Sequence, residues 1–501
     1  MSTQRDSTGH LFVLHGLIEN FDYDAVIIPT DHEFDVRQHW PRSVTGDINT
    51  AKPHNWPQDC ARSATGDPVW FISVADHHIL TDDELIRRVD KVLTEIADAN
   101  IKKAEGRVLP RVALPVLGIG AGGLGGRRGA VLKGLLETLH RAAATTSIDI
   151  LLVAANRAAF AAAQHSRRHG QTGGTEQWKL SEADLSEARR LGALAANGHL
   201  ALFLGAGVSM AAGLPSWNDL LAEIGQGLGE YPDDYEKLGD LDKAQYLAAR
   251  LGGTEKLNAK VAEVVGDRTK VALAHALLAG MACREAVTTN YDDLYERAVH
   301  ATGSERPTVL PWETVDERRP WLLKLHGDIG QPNSIVLTRR DFVLFDAKSR
   351  PAGSLLQALL LTKHLLIVGA SLADDNVIRL AMEVDDYLER SDARTTQGTF
   401  VDVSGVEARK ALWNKQFNWF VCEGREREDR IRRMEIFLDA VAAHAVTDAS
   451  WILDERFDGL LEEQDRAVVA DARNVLLQAE MGSGLLQPLR NALAGLGGPG
   501  L

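Results

Sequence analysis

Short apolar runs, each followed by a segment long enough for a helix, recur along most of the chain, and this alternation limits the fold more than any other feature. Between residues 10 and 165 the runs are "LFVLHG", "DAVIIPT", "VWFISVA", "RVALPVLGIG" and "IDILLVAA". They are nearly continuous in apolar character, so they read as buried strands. Between them, "TDDELIRRVDKVLTEIADANIKK" repeats its apolar residues at helical spacing and opens with Thr81 and Glu84 at capping-box distance. "GGRRGAVLKGLLETLHRAAATT" predicts a second helix. Alternation of this kind specifies an α/β layer fold.

The polar, glycine-rich "SRRHGQTGGTEQW" has little to bury and marks a linker, placed at 166–180. After the helical "SEADLSEARRLGALAANG", a second cycle of alternation runs to about 423, with strands expected at "LALFL", "EAVTTN", "WLLKLHG", "SIVLT", "HLLIVGA" and "GTFVDVS". Residues 218–280 are mostly helical in pattern and read as an insertion on the sheet. The expected organisation is therefore two α/β domains, 1–165 and 181–425. The second is a Rossmann-like parallel sheet with a helical insertion, and a helical C-terminal tail follows over 426–501.

A length of 501 residues accommodates two or three such domains. The formal net charge of -15 argues against a surface built to grip nucleic acid, and "GREREDRIRR" reads as a solvated helix face. An acidic chain that binds an anionic nucleotide must use backbone amides and helix ends. The three cysteines, Cys60, Cys283 and Cys422, are far apart, so neither a zinc ribbon nor a disulfide framework can form. The doublet His77–His78 and the other histidines show no metal spacing with acidic partners, and no metal is expected. The N-terminus lacks a signal-peptide core, and no apolar stretch reaches membrane-spanning length. These features predict a cytoplasmic protein with no membrane segment.

The ends of the strand runs carry the chemistry. "HLALFLGAGVSMAAGLPSW" is a strand, a glycine turn and a helix start: Gly205 and Gly207 allow close backbone approach, with Ala206 and Ser209 beside them. The position of a third fingerprint glycine is Met210. In "AVTTNYDDLYERA", Thr289, Asn290, Asp292 and Asp293 follow a β-rich run, and the same letters also describe a turn and a helix N-cap. His326 follows the run in "WLLKLHGDI". Gly369 and Ser371 follow the run in "HLLIVGASLADDNV", with Asp374 and Asp375 opening a helix, and Asp402 ends "TFVD". Open α/β sheets bind ligands at such strand ends.

In order and spacing, "GAGVSMAAGLPSW", "TTNYDDL", "KLHGDI" and "VGASLADDNV" resemble the motif set of the sirtuin superfamily, and are most similar to its bacterial NAD-consuming branch in antiphage defence. The resemblance covers roughly 195–425. Protein-deacylating sirtuins carry a four-cysteine zinc module, an arginine after the glycine loop and Thr-Gln-Asn. This chain has three cysteines, Leu214-Pro215-Ser216-Trp217-Asn218 and Thr-Thr-Asn instead. The departures favour water over acyl-lysine as the acceptor. The resemblance implies NAD as substrate, catalytic roles for Asn290, Asp292 and His326, and NAD contacts from Gly205, Ala206, Gly207, Ser209, Pro215, Trp217, Thr289, Gly369, Ser371 and Asp402. It also implies a homo-oligomer. Two other readings remain: a non-catalytic NAD- or ADP-ribose-binding regulator, and an ADP-ribosyl transferase or deacylase.

In the first half, "RVALPVLGIGAGGLGGRRGAVLKGLLETL" resembles the phosphate-binding loop of macro domains, which bind ADP-ribose. Pro115, Gly118, Gly120, Gly122 and Gly123 would line a diphosphate. The expectation is a domain that senses an ADP-ribose-type signalling nucleotide, or one that only scaffolds assembly.

Overall fold

The computed structural model describes residues 8–36, 40–57, 59–75, 80–119, 124–170, 175–266, 268, 270–390, 396–480 and 484–497. They form two compact units, one of residues 1–189 with 439–501 and one of 190–438.

The first unit holds β1 (Leu11–His15), β2 (Ala25–Thr30), β3 (Cys60–Arg62), β4 (Val69–Ser73), β5 (Arg111–Pro115) and β6 (Asp149–Ala154) in the order β1-β6-β5-β2-β4-β3. All pairings are parallel except β3 with β4. The expected helices form at Asp82–Asp98 and Arg128–Thr145, and the Thr81 side chain caps the first by accepting from the Glu84 amide at 3.2 Å. The sheet and these helices share a core with Trp451, Leu453, Phe457, Leu461, Val469 and Leu476 from the C-terminal segment. A Cβ on Gly129 would sit 2.6 Å from the Phe457 carbonyl oxygen, so a glycine is what lets this segment reach the helix. The C-terminal tail is helical as expected, but its residues from 439 onward belong to the first unit. The expected linker opens inside the helix Arg157–His169 and continues into the helix Thr175–Trp178.

A fully buried carboxylate anchors this unit. Asp439 accepts from His10 Nε2 at 2.9 Å, Trp178 Nε1 at 2.8 Å and both terminal nitrogens of Arg167, at 2.5 and 3.0 Å. Burial alone would raise the Asp439 carboxyl, but Arg167 and His10 outweigh it and hold it down at about 2.

The second unit is built on seven parallel strands: β7 (Leu200–Leu204), β8 (Glu285–Thr288), β9 (Thr308–Leu310), β10 (Trp321–Lys324), β11 (His364–Val368), β12 (Gly398–Asp402) and β13 (Phe417–Val421). Their order is β13-β12-β11-β7-β8-β10-β9. The central strands bury both faces, which is why they read as unbroken apolar runs. Among the described residues the expected insertion holds four α-helices, Trp217–Gly225, Asp240–Leu251, Thr254–Val265 and Leu273–Gly280, and a 3-10 turn at Tyr235–Lys237. Residues 334–338, expected as a strand, instead end a 3-10 turn at Ser334 and run irregularly to Thr338, the N-cap of the next helix. Ile335 and Leu337 are buried there, so the alternation was real, but it served core packing and no ladder. Among the described residues no helix is long and apolar enough to cross a membrane.

Candidate active site

From β7 the chain crosses to β8 on one side, and only later returns to place β11 on the other. This reversal opens a crevice at the carboxyl ends of the strands. Register aligns the motifs at that edge: Val368 pairs with Leu204, Leu204 with Thr288, and Thr288 with Lys324. Gly369, Gly205, Thr289 and residues immediately beyond them therefore leave the sheet at one level. Asn290 and His326 each lie two residues past the paired Thr288 and Lys324.

Three glycines close the β7 and β11 side. The Gly205 amide donates to the Val368 carbonyl and the Gly207 amide to the Gly369 carbonyl, each at 2.9 Å. A Cβ on Gly205 would lie 2.5 Å from Ala370 Cα, and one on Gly369 would lie 2.5 Å from the Val208 nitrogen. Gly369 also has φ +69°, in the left-handed region. The amides of Gly205 and Gly207 are thus already bonded across the loops. What these glycines supply is close packing that leaves the exposed Ala206 at the tip, opening the five-residue helix Ala206–Met210. Ser209 is buried on that helix; Pro215 and Trp217 are half-buried, Trp217 heading the next helix behind its cap Ser216.

Asn290 is held from several sides. The backbone N–H donates to Thr288 Oγ1 at 2.9 Å, and Thr288 Oγ1 donates to the Leu204 carbonyl at 2.9 Å. The side-chain Nδ2 donates to the Gly205 carbonyl at 3.2 Å and to Ser209 Oγ at 3.0 Å. Its Oδ1 is buried and has no hydrogen-bond partner among the described residues. Trp217 Nε1 and Asn376 Nδ2 are buried and unpartnered in the same sense. Such atoms are costly in a folded protein unless something binds them.

Asp292 plays the part the turn reading allowed: Oδ1 accepts from the Leu294 amide at 3.1 Å. Its carbonyl accepts from Lys324 Nζ at 2.7 Å. Lys324 is fully buried on β10, paired with Glu296 at 2.9 Å and with Asp328, and so clamps the loop that carries Asn290. Burial pushes the Glu296 carboxyl up to about 7 against the pull of Lys324.

His326 is 3% exposed, with its Nε2 3.0 Å from Asp374 Oδ2 but off the angle of a regular hydrogen bond. Its ring meets Phe342 edge-on at 5.2 Å, and Phe342 in turn meets Trp217. Asp374 caps the helix Asp375–Glu389 through the amides of Asn376 and Val377. Burial would raise its carboxyl, yet His326 and those amides hold it below the usual carboxylate range. The sequence marked Asp374 only as a helix opener; nothing local links it to a histidine 48 positions earlier. A carboxylate against an imidazole fixes the orientation of the ring.

Ser371 is exposed beyond Gly369. Asp402, at the end of β12, is 3% exposed and already used: it accepts from the Ser404 amide at 2.7 Å and from Trp419 Nε1 at 3.0 Å. In the first unit Pro115 ends β5, and buried Gly118 has φ +78° where a Cβ would meet Leu85 Cδ2 at 2.5 Å. Gly120, Gly122 and Gly123, like His77 and His78, lie outside the described residues. Among the described residues no cluster of three or more His, Cys, Asp or Glu side chains could hold a metal, and the three cysteines are buried and form no disulfide.

Residues 284–418 match the family model of the SIR2-like domain. Over 200 residues, 39% of this chain and 41% of the relative, the sequence is 31% identical to the NAD(+) hydrolase ThsA of Bacillus cereus (strain MSX-D12). Over 194 residues, 37% of this chain and 40% of the relative, it is 31% identical to the NAD(+) hydrolase ThsA of Enterococcus faecium. It is 25% identical over 191 residues to Defense-associated sirtuin 2 of Bacillus subtilis, covering 36% of this chain and 19% of that protein. The chain thus spans well under half the length of these curated relatives.

Proposed function

We propose that residues 190–438 form an NAD glycohydrolase, which cleaves the nicotinamide–ribose bond with water to release nicotinamide, ADP-ribose and a proton, and that the protein acts in antiphage defence by depleting NAD. The observation that carries the reading is the buried, unpartnered Asn290 Oδ1 at the same sheet edge as the His326–Asp374 pair. The similarity to proteins named NAD(+) hydrolase supports it.

Nicotinamide leaves NAD as a neutral molecule, so no strong acid is required. The site must orient the ribose, stabilise a cationic sugar centre and place one water. Asn290 Oδ1 accepts from that water or from a ribose hydroxyl. His326 accepts the proton released as the water adds, through the ring edge turned away from Asp374, whose charge then steadies the imidazolium. Asp292 adds negative potential. Ala206, Ser209 and Ser371 receive the diphosphate end, with Gly205 and Gly207 giving it room for close approach, and Pro215, Trp217, Thr289, Gly369 and Asp402 lie around the rest of the dinucleotide. The first unit, macro-like over 1–165, senses an ADP-ribose-type nucleotide and controls hydrolysis, and the protein works as a homo-oligomer.

Purified full-length protein should release nicotinamide from NAD, with ADP-ribose or a cyclic relative tested as activator. Asn290→Ala and His326→Ala should each lower the rate about a hundredfold or more. Wild type that binds NAD but releases nothing under any condition would make the protein a regulator. Release that requires an acyl-peptide would make it a deacylase or transferase.

A further inference from the structure

The helical insertion sends one polar side chain toward the crevice floor. His275, on Leu273–Gly280, is 1% exposed, and its Nε2 lies 3.4 Å from Ser209 Oγ. Ser209 Oγ in turn receives a hydrogen from Asn290 Nδ2. The polarity of this chain follows from its far end. The Gly205 carbonyl is only an acceptor, so the Asn290 group facing it must be the NH2. The second hydrogen of that NH2 goes to Ser209 Oγ. The serine hydroxyl hydrogen must then go elsewhere, and the acceptor in reach is His275 Nε2. If Nε2 carried the proton, Ser209 Oγ could accept both hydrogens but its own would have no acceptor; with Nε2 accepting, the ring proton sits on Nδ1, which is buried without a hydrogen-bond partner among the described residues.

We propose that His275 is a positioning residue: as an acceptor for Ser209, it orients the hydroxyl to receive the Asn290 NH2 and so, together with the Gly205 carbonyl, holds the amide with Oδ1 toward the crevice. The group Asn290 meets must then be a hydrogen donor, a water or a sugar hydroxyl, and a carbonyl or phosphate oxygen is refused there. Burial keeps the ring neutral, lowering it to about 4 against a weaker opposite pull from Asp292. The orientation follows from hydrogen bonding alone; its catalytic consequence rests on the hydrolase reading.

The test uses the full chain with 15N-labelled histidine, the His275 signal being assigned by its loss in His275→Gln. At neutral pH the ring should be neutral with Nε2 unprotonated, and Ser209→Ala should shift that nitrogen. A charged ring, or a proton on Nε2, overturns the proposal. In nicotinamide release, His275→Leu should lower kcat about tenfold or more with KM little changed, and His275→Gln, which keeps an acceptor at the Nε2 position, should recover most of it. Adding His275→Leu to Ser209→Ala should cost nothing further. Equal loss in the Leu and Gln variants, or additive losses, would overturn it as well. A wild type with the expected tautomer but no nicotinamide release would sink the hydrolase reading while leaving the orientation standing.

Discussion

Two buried polar clusters, one in each unit, have opposite accounts. Around Asp439 every partner is in place: a histidine, a tryptophan N–H and a forked arginine meet one carboxylate. Around Asn290 the scaffold is just as ordered, yet Asn290 Oδ1, Trp217 Nε1 and Asn376 Nδ2 have no partner among the described residues. A polar group buried to hold a fold is satisfied by that fold, whereas one buried to meet a ligand is left open. On the hydrolase reading the first cluster holds the fold and the second faces substrate; Thr308 Oγ1 and His444 Nε2 are also buried without a hydrogen-bond partner among the described residues, so an open atom alone does not mark a site.

The comparison breaks if Asp439→Ala is tolerated. Removing this carboxylate strands the Arg167 charge, at a cost of about 3–5 kcal/mol, and hydrogen exchange over 8–16 and 157–169 should accelerate accordingly. The acid limb carries the same sign. Because the folded state holds Asp439 at about 2, below its unfolded value, its contribution is complete above roughly pH 4 and is lost as pH falls through about 2. His10 adds to this, since burial lowers its affinity for a proton that the unfolded chain accepts. Protection factors over those segments, corrected for intrinsic exchange, that do not fall on acidification would reject both assignments.

A smaller effect sharpens the other side. Gly369→Ala places a methyl group 2.5 Å from the Val208 nitrogen at a positive φ, which should cost about 1–3 kcal/mol and impair NAD turnover by spreading the two loops. Melting temperature and nicotinamide release should fall together. Least of all, Trp217→Phe removes an N–H with no partner among the described residues, so stability should change by no more than about 0.5 kcal/mol. A large loss in thermal or urea denaturation would show that the indole nitrogen is structural after all.

The strands that carry the motifs were legible because burial on both faces leaves a plain apolar run. β3 and β9 escaped because three residues make no pattern, and β13, "FNWFV", mixes polar and aromatic residues on an edge. The attachment of Phe457 and Trp451 to the first core was invisible because it depends on contacts more than 280 positions away in sequence, which leave no local trace. Within the candidate site, Asn290 and His326 stand at strand ends in the sequence, but their expected roles came from the resemblance to sirtuins and not from position alone. Asp374 and His275 had no expected role: each looks locally like a cap or a core helix residue, and only tertiary contact gives it a partner.

The arrangement of β11 beside β7 has a temporal side. The acceptor for the Gly205 amide is the Val368 carbonyl, and Gly207 closes on Gly369; Asp374, the partner of His326, is later still. During synthesis the chain therefore carries Asn290 and His326 well before it has the second wall of the crevice. On the hydrolase reading, the nascent chain is inert until the returning strand completes the central pairing.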